Sequence, residues 1–146
     1  MILKVQNGAG IVSAGDGSSG SPLKFTFVAD DDSIDNDGDS TVDEAGELKT
    51  IAYDLYDGYN DGDSDIGRAV GTGNRQPIAE NIARLEFAYS DEDGIVMPLP
   101  IAALDLPRVR SVHITLEATI DSNETNYFNG KNRILTTTVK CRNMGL

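Results

Sequence analysis

The sequence predicts an α+β fold that is mostly β, and three observations predict it. Apolar and polar residues alternate over several short stretches, the period of a strand with one buried face. Clusters of Gly, Asp, Asn, Ser and Pro separate those stretches. No internal segment keeps a 3.6-residue period over the length of a long helix. The chain has 146 residues, one domain in scale, with an apolar fraction of 39%. Aromatics make up 6% and Trp is absent, so the core must rest on Ile, Leu, Val and a few Phe and Tyr.

The first element is a loop. Met1-Ile2-Leu3-Lys4-Val5 is too short for a signal peptide and has no apolar h-region. Gly8 to Pro22 is rich in Gly, Ser and Ala, so residues 1–22 are expected to form a flexible N-terminal segment. The globular unit then runs over 23–146, with acidic insertions at 30–47 and 57–65. Leu23 to Ala29 is a strand, with Leu23, Phe25 and Phe27 on one face. Thr50 to Tyr56 is the next, with Ile51, Tyr53 and Leu55 inward. The Gly/Asp/Asn turn after it leads into Ile66 to Val70, and the two strands make a hairpin. Gly71 to Asn74 is a loop, and Pro77 to Ile82 is expected to form one helical turn with Pro at its start.

Three further strands follow. Leu85, Phe87 and Tyr89 alternate with Arg84, Glu86 and Ala88. Val112, Ile114, Leu116, Ala118 and Ile120 alternate with Ser111, His113, Thr115, Glu117 and Thr119. Leu135, Thr137, Val139 and Cys141 alternate with Ile134, Thr136, Thr138 and Lys140. Asp91 to Gly94 is a turn and Asn123 to Asn132 a polar hairpin connection. Ile95 to Pro107 is an apolar loop interrupted by Pro98, Pro100 and Pro107, with at most a short helix near Ala102 to Leu106. Strands of this kind form a half-exposed antiparallel sheet, whose apolar face needs a cover.

Charge narrows the partners. The formal net charge is −12, and 14 of the 24 acidic residues lie between Asp30 and Asp65. No cluster of Lys and Arg offers phosphate contacts, so nucleic acid is not an expected partner. The single cysteine, Cys141, allows no internal disulfide and fits no CxxC pattern; burial in its strand is expected. No stretch reaches the ~18 apolar residues of a membrane helix.

The acidic loop carries the most chemistry. Nine of the eighteen residues from Asp30 to Glu47 are carboxylates and none is basic. Like charges at this density stay solvated or close around a cation. Asp35, Asp37 and Asp39 alternate around Gly38, with Glu44 beyond, which is a calcium-loop spacing. In an EF-type register Ser33, Asp35, Asp37, Asp39, Thr41 and Glu44 take the ligand positions, with Ser33 a defect in the first. A second register starts at Asp35 and uses Asp37, Asp39, the Thr41 carbonyl and Asp43. The flanks are strand-like, so a calcium clip within a β-loop is expected rather than a helix-loop-helix. Asp57, Asp61, Asp63 and Asp65 form a weaker cluster, with Arg68 where an EF loop needs Glu; it could complete the first site from across the sheet.

Catalysis finds little support. His113, the only histidine, lies on the polar face of its strand with Ser111 and Thr115. A Ser-His-Asp arrangement needs a proximity that spacing does not supply. The carboxylates sit in turns without the aromatic platform of a sugar site. No phosphate loop or dinucleotide fingerprint is present. No enzymatic activity and no small-molecule substrate are therefore expected, with a hydrolase using the acidic loops the remote case.

Element order and three motifs carry a resemblance. The first motif is Ile51-Ala52-Tyr53-Asp54-Leu55 followed by a turn and Ile66-Gly67-Arg68. The second runs from Pro77 through Asp91 and ends in Glu92-Asp93-Gly94. The third pairs Val109 to Leu116 with the closing Leu135 to Asn143. Over roughly residues 23–146 the chain resembles type IV pilus minor pilins of the PilW kind, which are similar to the J-type minor pseudopilins of type II secretion. The resemblance implies an antiparallel sheet with long loops, packed on a long N-terminal helix that this sequence does not contain. It implies a structural protein that helps initiate or cap a pilus-like filament, with other pilin or pseudopilin subunits as partners. It also implies anchoring in the bacterial inner membrane through that helix, with the ectodomain in the periplasm or at the pilus outside the cell. A secreted calcium-binding β-sandwich adhesion module is the alternative.

Overall fold

The computed structural model describes residues 10–28, 33–35, 38–42, 48–119 and 132–141. They form two antiparallel sheets and no α-helix, so the mostly-β expectation holds while the single-sheet picture gives way to two. The first sheet is a meander of β1 (Gly10–Ala14), β2 (Leu23–Val28), β3 (Leu48–Tyr56), β4 (Asp65–Val70) and β5 (Gln76–Ala79), in that order. The second contains β6 (Ile82–Ser90), β7 (Val96–Met97), β8 (Ser111–Ala118) and β9 (Arg133–Lys140), in the order β7-β6-β8-β9. Strands that a short turn joins, such as β4 and β5, pair antiparallel because a hairpin closes with little loop entropy.

The alternation read from sequence sets the register. Leu85, Phe87 and Tyr89 of β6 lie opposite Leu116, Ile114 and Val112 of β8. Their side chains form the core with Met97, Val109, and Ile11 and Leu23 from the other sheet. Phe25, Tyr53, Leu55 and Ile66 pack against this cluster, so the inner faces of both sheets meet in it. Half-buried Cys141 packs there too, and burial raises its thiol pKa.

Residues 10–22 depart from the flexible segment expected of them. Ile11 is buried in β1, and β1 pairs with β2. The turn after it stitches the two sheets: the Leu55 N–H donates to the Gly17 carbonyl and the Phe87 N–H to the Asp16 carbonyl, both at 2.9 Å. The Tyr89 hydroxyl donates to the Gly15 carbonyl at 2.6 Å. Gly17 has φ +94°, and a Cβ there would lie 2.9 Å from the Leu85 carbonyl oxygen, so glycine is required. Small residues here serve close backbone approach rather than mobility.

Two smaller corrections follow. Pro77 opens no helical turn; Gln76–Ala79 is the edge strand β5. A lone turn gains almost no hydrogen bonding, whereas the edge of β4 offers a ladder that tolerates a proline. The short helix expected near Ala102 to Leu106 is a 3-10 turn at Leu106–Arg108, with Pro107 as its second residue.

Candidate functional site

Both acidic turns use one device. In the first, Asp35 accepts the Gly38 N–H at 2.6 Å and the Ser40 N–H at 2.9 Å, while Asp39 accepts the Thr41 N–H at 2.8 Å. Gly38, at φ +84°, makes the bend. In the second, Asp57 accepts the Asp61 and Gly62 N–H groups, both at 3.1 Å, and Asp61 accepts the Asp63 N–H at 3.1 Å. Short carboxylates thus satisfy turn amides that no strand can pair.

The metal set is placed only in part. Asp35, Asp39 and Thr41 are in the described part of the first loop, whereas Asp37, Asp43 and Glu44 lie outside the described residues. Among the described residues, no group of three or more His, Cys, Asp or Glu converges as a metal site. In the second turn Asp61 and Asp63 are exposed, but Asp65 is 2% exposed and accepts the Gly58 N–H at 2.8 Å, anchoring the hairpin from inside. The two turns leave opposite ends of β3, whose nine residues span roughly 27 Å.

Spacing did not single out a polar cluster on the outer face of the first sheet. Asp54 is buried on β3, and Arg75 Nη1 donates to its two oxygens at 3.1 and 2.9 Å. The Gly20 N–H donates to the same carboxylate at 3.2 Å. The Arg75 guanidinium also sits 5.0 Å from the Tyr56 ring centroid. Gly67 lies beneath that ring, where a Cβ would come within 2.7 Å of its carbons. Burial and the nearby Asp65 carboxylate raise the Tyr56 phenol pKa. A glycine inside a strand pattern was the available signal, because it marks close approach.

His113 also differs from a bare surface residue. One ring nitrogen lies 2.6 Å from the Ser90 hydroxyl and the other 2.8 Å from the Thr138 hydroxyl, which ties β6, β8 and β9. Ser90 is 1% exposed, so its hydroxyl is sealed from solvent. The third partner is a neutral hydroxyl where a triad needs a carboxylate. An open groove of about 470 Å³ is lined by Asp16, Ser18, Glu86 and Met97 to Leu99, among others. No family model, curated protein or solved structure matches the chain. Among the described residues, no helix is long and apolar enough to cross a membrane.

Proposed function

We propose that this chain is the globular ectodomain of a filament-assembly protein of the minor-pilin kind, PilW-like or J-type, that helps initiate or cap a pilus-like filament. The observation that carries the reading is an apolar sheet face that runs out to exposed residues on β9. The row that begins with buried Leu85 and Tyr89 continues through Leu116 and Val112 to Leu135 and Val139 on β9. There it opens to solvent: Leu135 is 63% exposed and Val139 50%. Apolar residues aligned on the core face of a sheet call for a packing partner. An apolar helix from an anchoring part of the polypeptide fits that row, and neighbouring pilin or pseudopilin subunits would then assemble around it.

Calcium belongs to the same proposal. Asp35, Asp37, Asp39, Thr41, Asp43 and Glu44 would hold the ion, and Asp61, Asp63 and Asp65 are the weaker set. The ion would neutralise carboxylates that otherwise repel and so stiffen the 30–47 insertion. The deciding test is the gene directly upstream: a prepilin processing motif followed by roughly twenty apolar residues is expected. An ordinary cleavable signal there would overturn the reading. It would favour a secreted calcium-stabilised adhesion module, for which the packing of two antiparallel sheets on one core speaks.

A further inference from the structure

Among the described residues the two sheets have four edge strands, and three are blunted. β7 has two residues, β5 has four and includes Pro77, and β1 has five and slips register between Ile11 and Ser13. Short, proline-bearing or irregular edges discourage pairing with another chain. β9 has none of these features. Its eight residues, Arg-Ile-Leu-Thr-Thr-Thr-Val-Lys, pair with β8 at every position without a slip. They include no Pro, Gly, Asp or Glu, and all eight are exposed. Among the described residues no strand lies on the other side of β9. Half of its backbone N–H and C=O groups face that open side, a template for a further strand.

We infer that β9 pairs antiparallel with β9 of a second copy, about a twofold axis at Thr137. In a continuous sheet, directly opposed residues share a face. Odd-numbered residues of β9 carry the core face, since Leu135 opposes Leu116 and Val139 opposes Val112. An axis at Thr137 sets Leu135 opposite Val139 of the partner subunit, twice by symmetry, and joins the two exposed apolar side chains of that face. Lys140 then opposes Ile134 of the partner subunit, so no charge on the strand meets its like. Moving the axis to Thr136 would set Arg133 against Val139 of the partner subunit and separate the apolar pair.

This edge is free of carboxylates. Two chains of net charge −12 repel, and β9 bears Arg133 and Lys140 but no carboxylate. The two four-stranded sheets would merge into one of eight strands (4 + 4). The pairing uses the edge of β9, not its face, and does not depend on the pilin reading.

Sedimentation and cysteine cross-linking test it. The expected result is a monomer–dimer equilibrium that shifts toward dimer as salt screens the net charge. In a Cys141→Ser background, Thr137→Cys should form a disulfide-linked dimer under mild oxidation, because opposed Cα atoms lie about 4.5–5.5 Å apart. Thr136→Cys should not, because its own copy is displaced by two residues, beyond the ~7 Å limit for a bridge. Thr137→Lys, which opposes two ammonium groups on the axis, should abolish the dimer and leave the melting temperature of the dilute monomer unchanged. A monomer at every concentration and salt would assign the edge to a foreign strand or another segment of the same polypeptide, and would overturn the inference. So would a dimer that cross-links equally at both positions or survives Thr137→Lys.

Discussion

Tyr89 shows how one side chain couples packing, hydrogen bonding and pH. Its ring is fully buried and its hydroxyl ties β6 to the Gly15 turn. Burial holds the phenol far above its usual pKa, so the folded chain binds that proton more tightly than the unfolded chain. Stability is therefore intact below pH ~10 and falls as pH rises past that value. Tyr89→Phe removes the donor to a buried carbonyl and should cost about 1–3 kcal/mol at neutral pH, read by urea unfolding. The variant should also lose part of the alkaline decline; an unchanged decline would assign it to other groups. Arg75 is the second residue to test. Its removal leaves the Asp54 carboxylate buried with only the Gly20 amide as a named partner. Arg75 is itself 40% exposed, which limits the effect, so Arg75→Ala should cost about 1–2 kcal/mol. Arg75→Lys should recover only part, because one ammonium cannot both span two oxygens and stack on Tyr56.

The acidic turns are elements whose shape comes from their own carboxylates. Asp57 closes the β3–β4 turn by accepting two amides, and Asp57→Ala should cost about 1 kcal/mol in a thermal melt. The β2–β3 insertion carries the calcium proposal. At the dissociation constant of an extracellular module, ~10⁻⁴ to 10⁻³ M, excess calcium should raise the melting temperature by mass action. Superimposable melts in calcium and in EGTA would remove the ion from the proposal. An Asp35→Asn, Asp37→Asn, Asp39→Asn triple variant should lose the calcium-dependent rise while it keeps its calcium-free stability within about 1 kcal/mol, since Asn can still accept turn amides.

At the scale of the molecule, two sheets share one core and one of them stays partly open. Leu135 and Val139 sit on the core face yet bury too little area to stabilise the chain much. Leu135→Asp with Val139→Asp should therefore shift the stability of the isolated chain by no more than about 1 kcal/mol. The same pair should block incorporation into a filament or docking of an apolar helix. A large loss of stability in the isolated chain would mean that this face is packed internally.

Sequence alone determined the strands β2, β3, β4, β6, β8 and β9, but not β1, β5 or β7. Period-two alternation is a local property, and Leu85, Phe87, Tyr89, Val112, Ile114 and Leu116, which it set on one face, are residues that pack. The turns were legible for the same reason, since Gly, Asn and Asp mark positions where the backbone must bend. Tertiary structure decided what depends on a second strand or a distant loop. Alternation does not tell one sheet from two, and Gly/Ser composition does not tell a mobile tail from the Gly15 to Pro22 turn that joins the sheets. Nor does spacing reveal that Asp54 meets Arg75 or that His113 bridges Ser90 and Thr138. Those contacts span 21, 23 and 25 positions, and only the register of paired strands and the packing of loops bring them together.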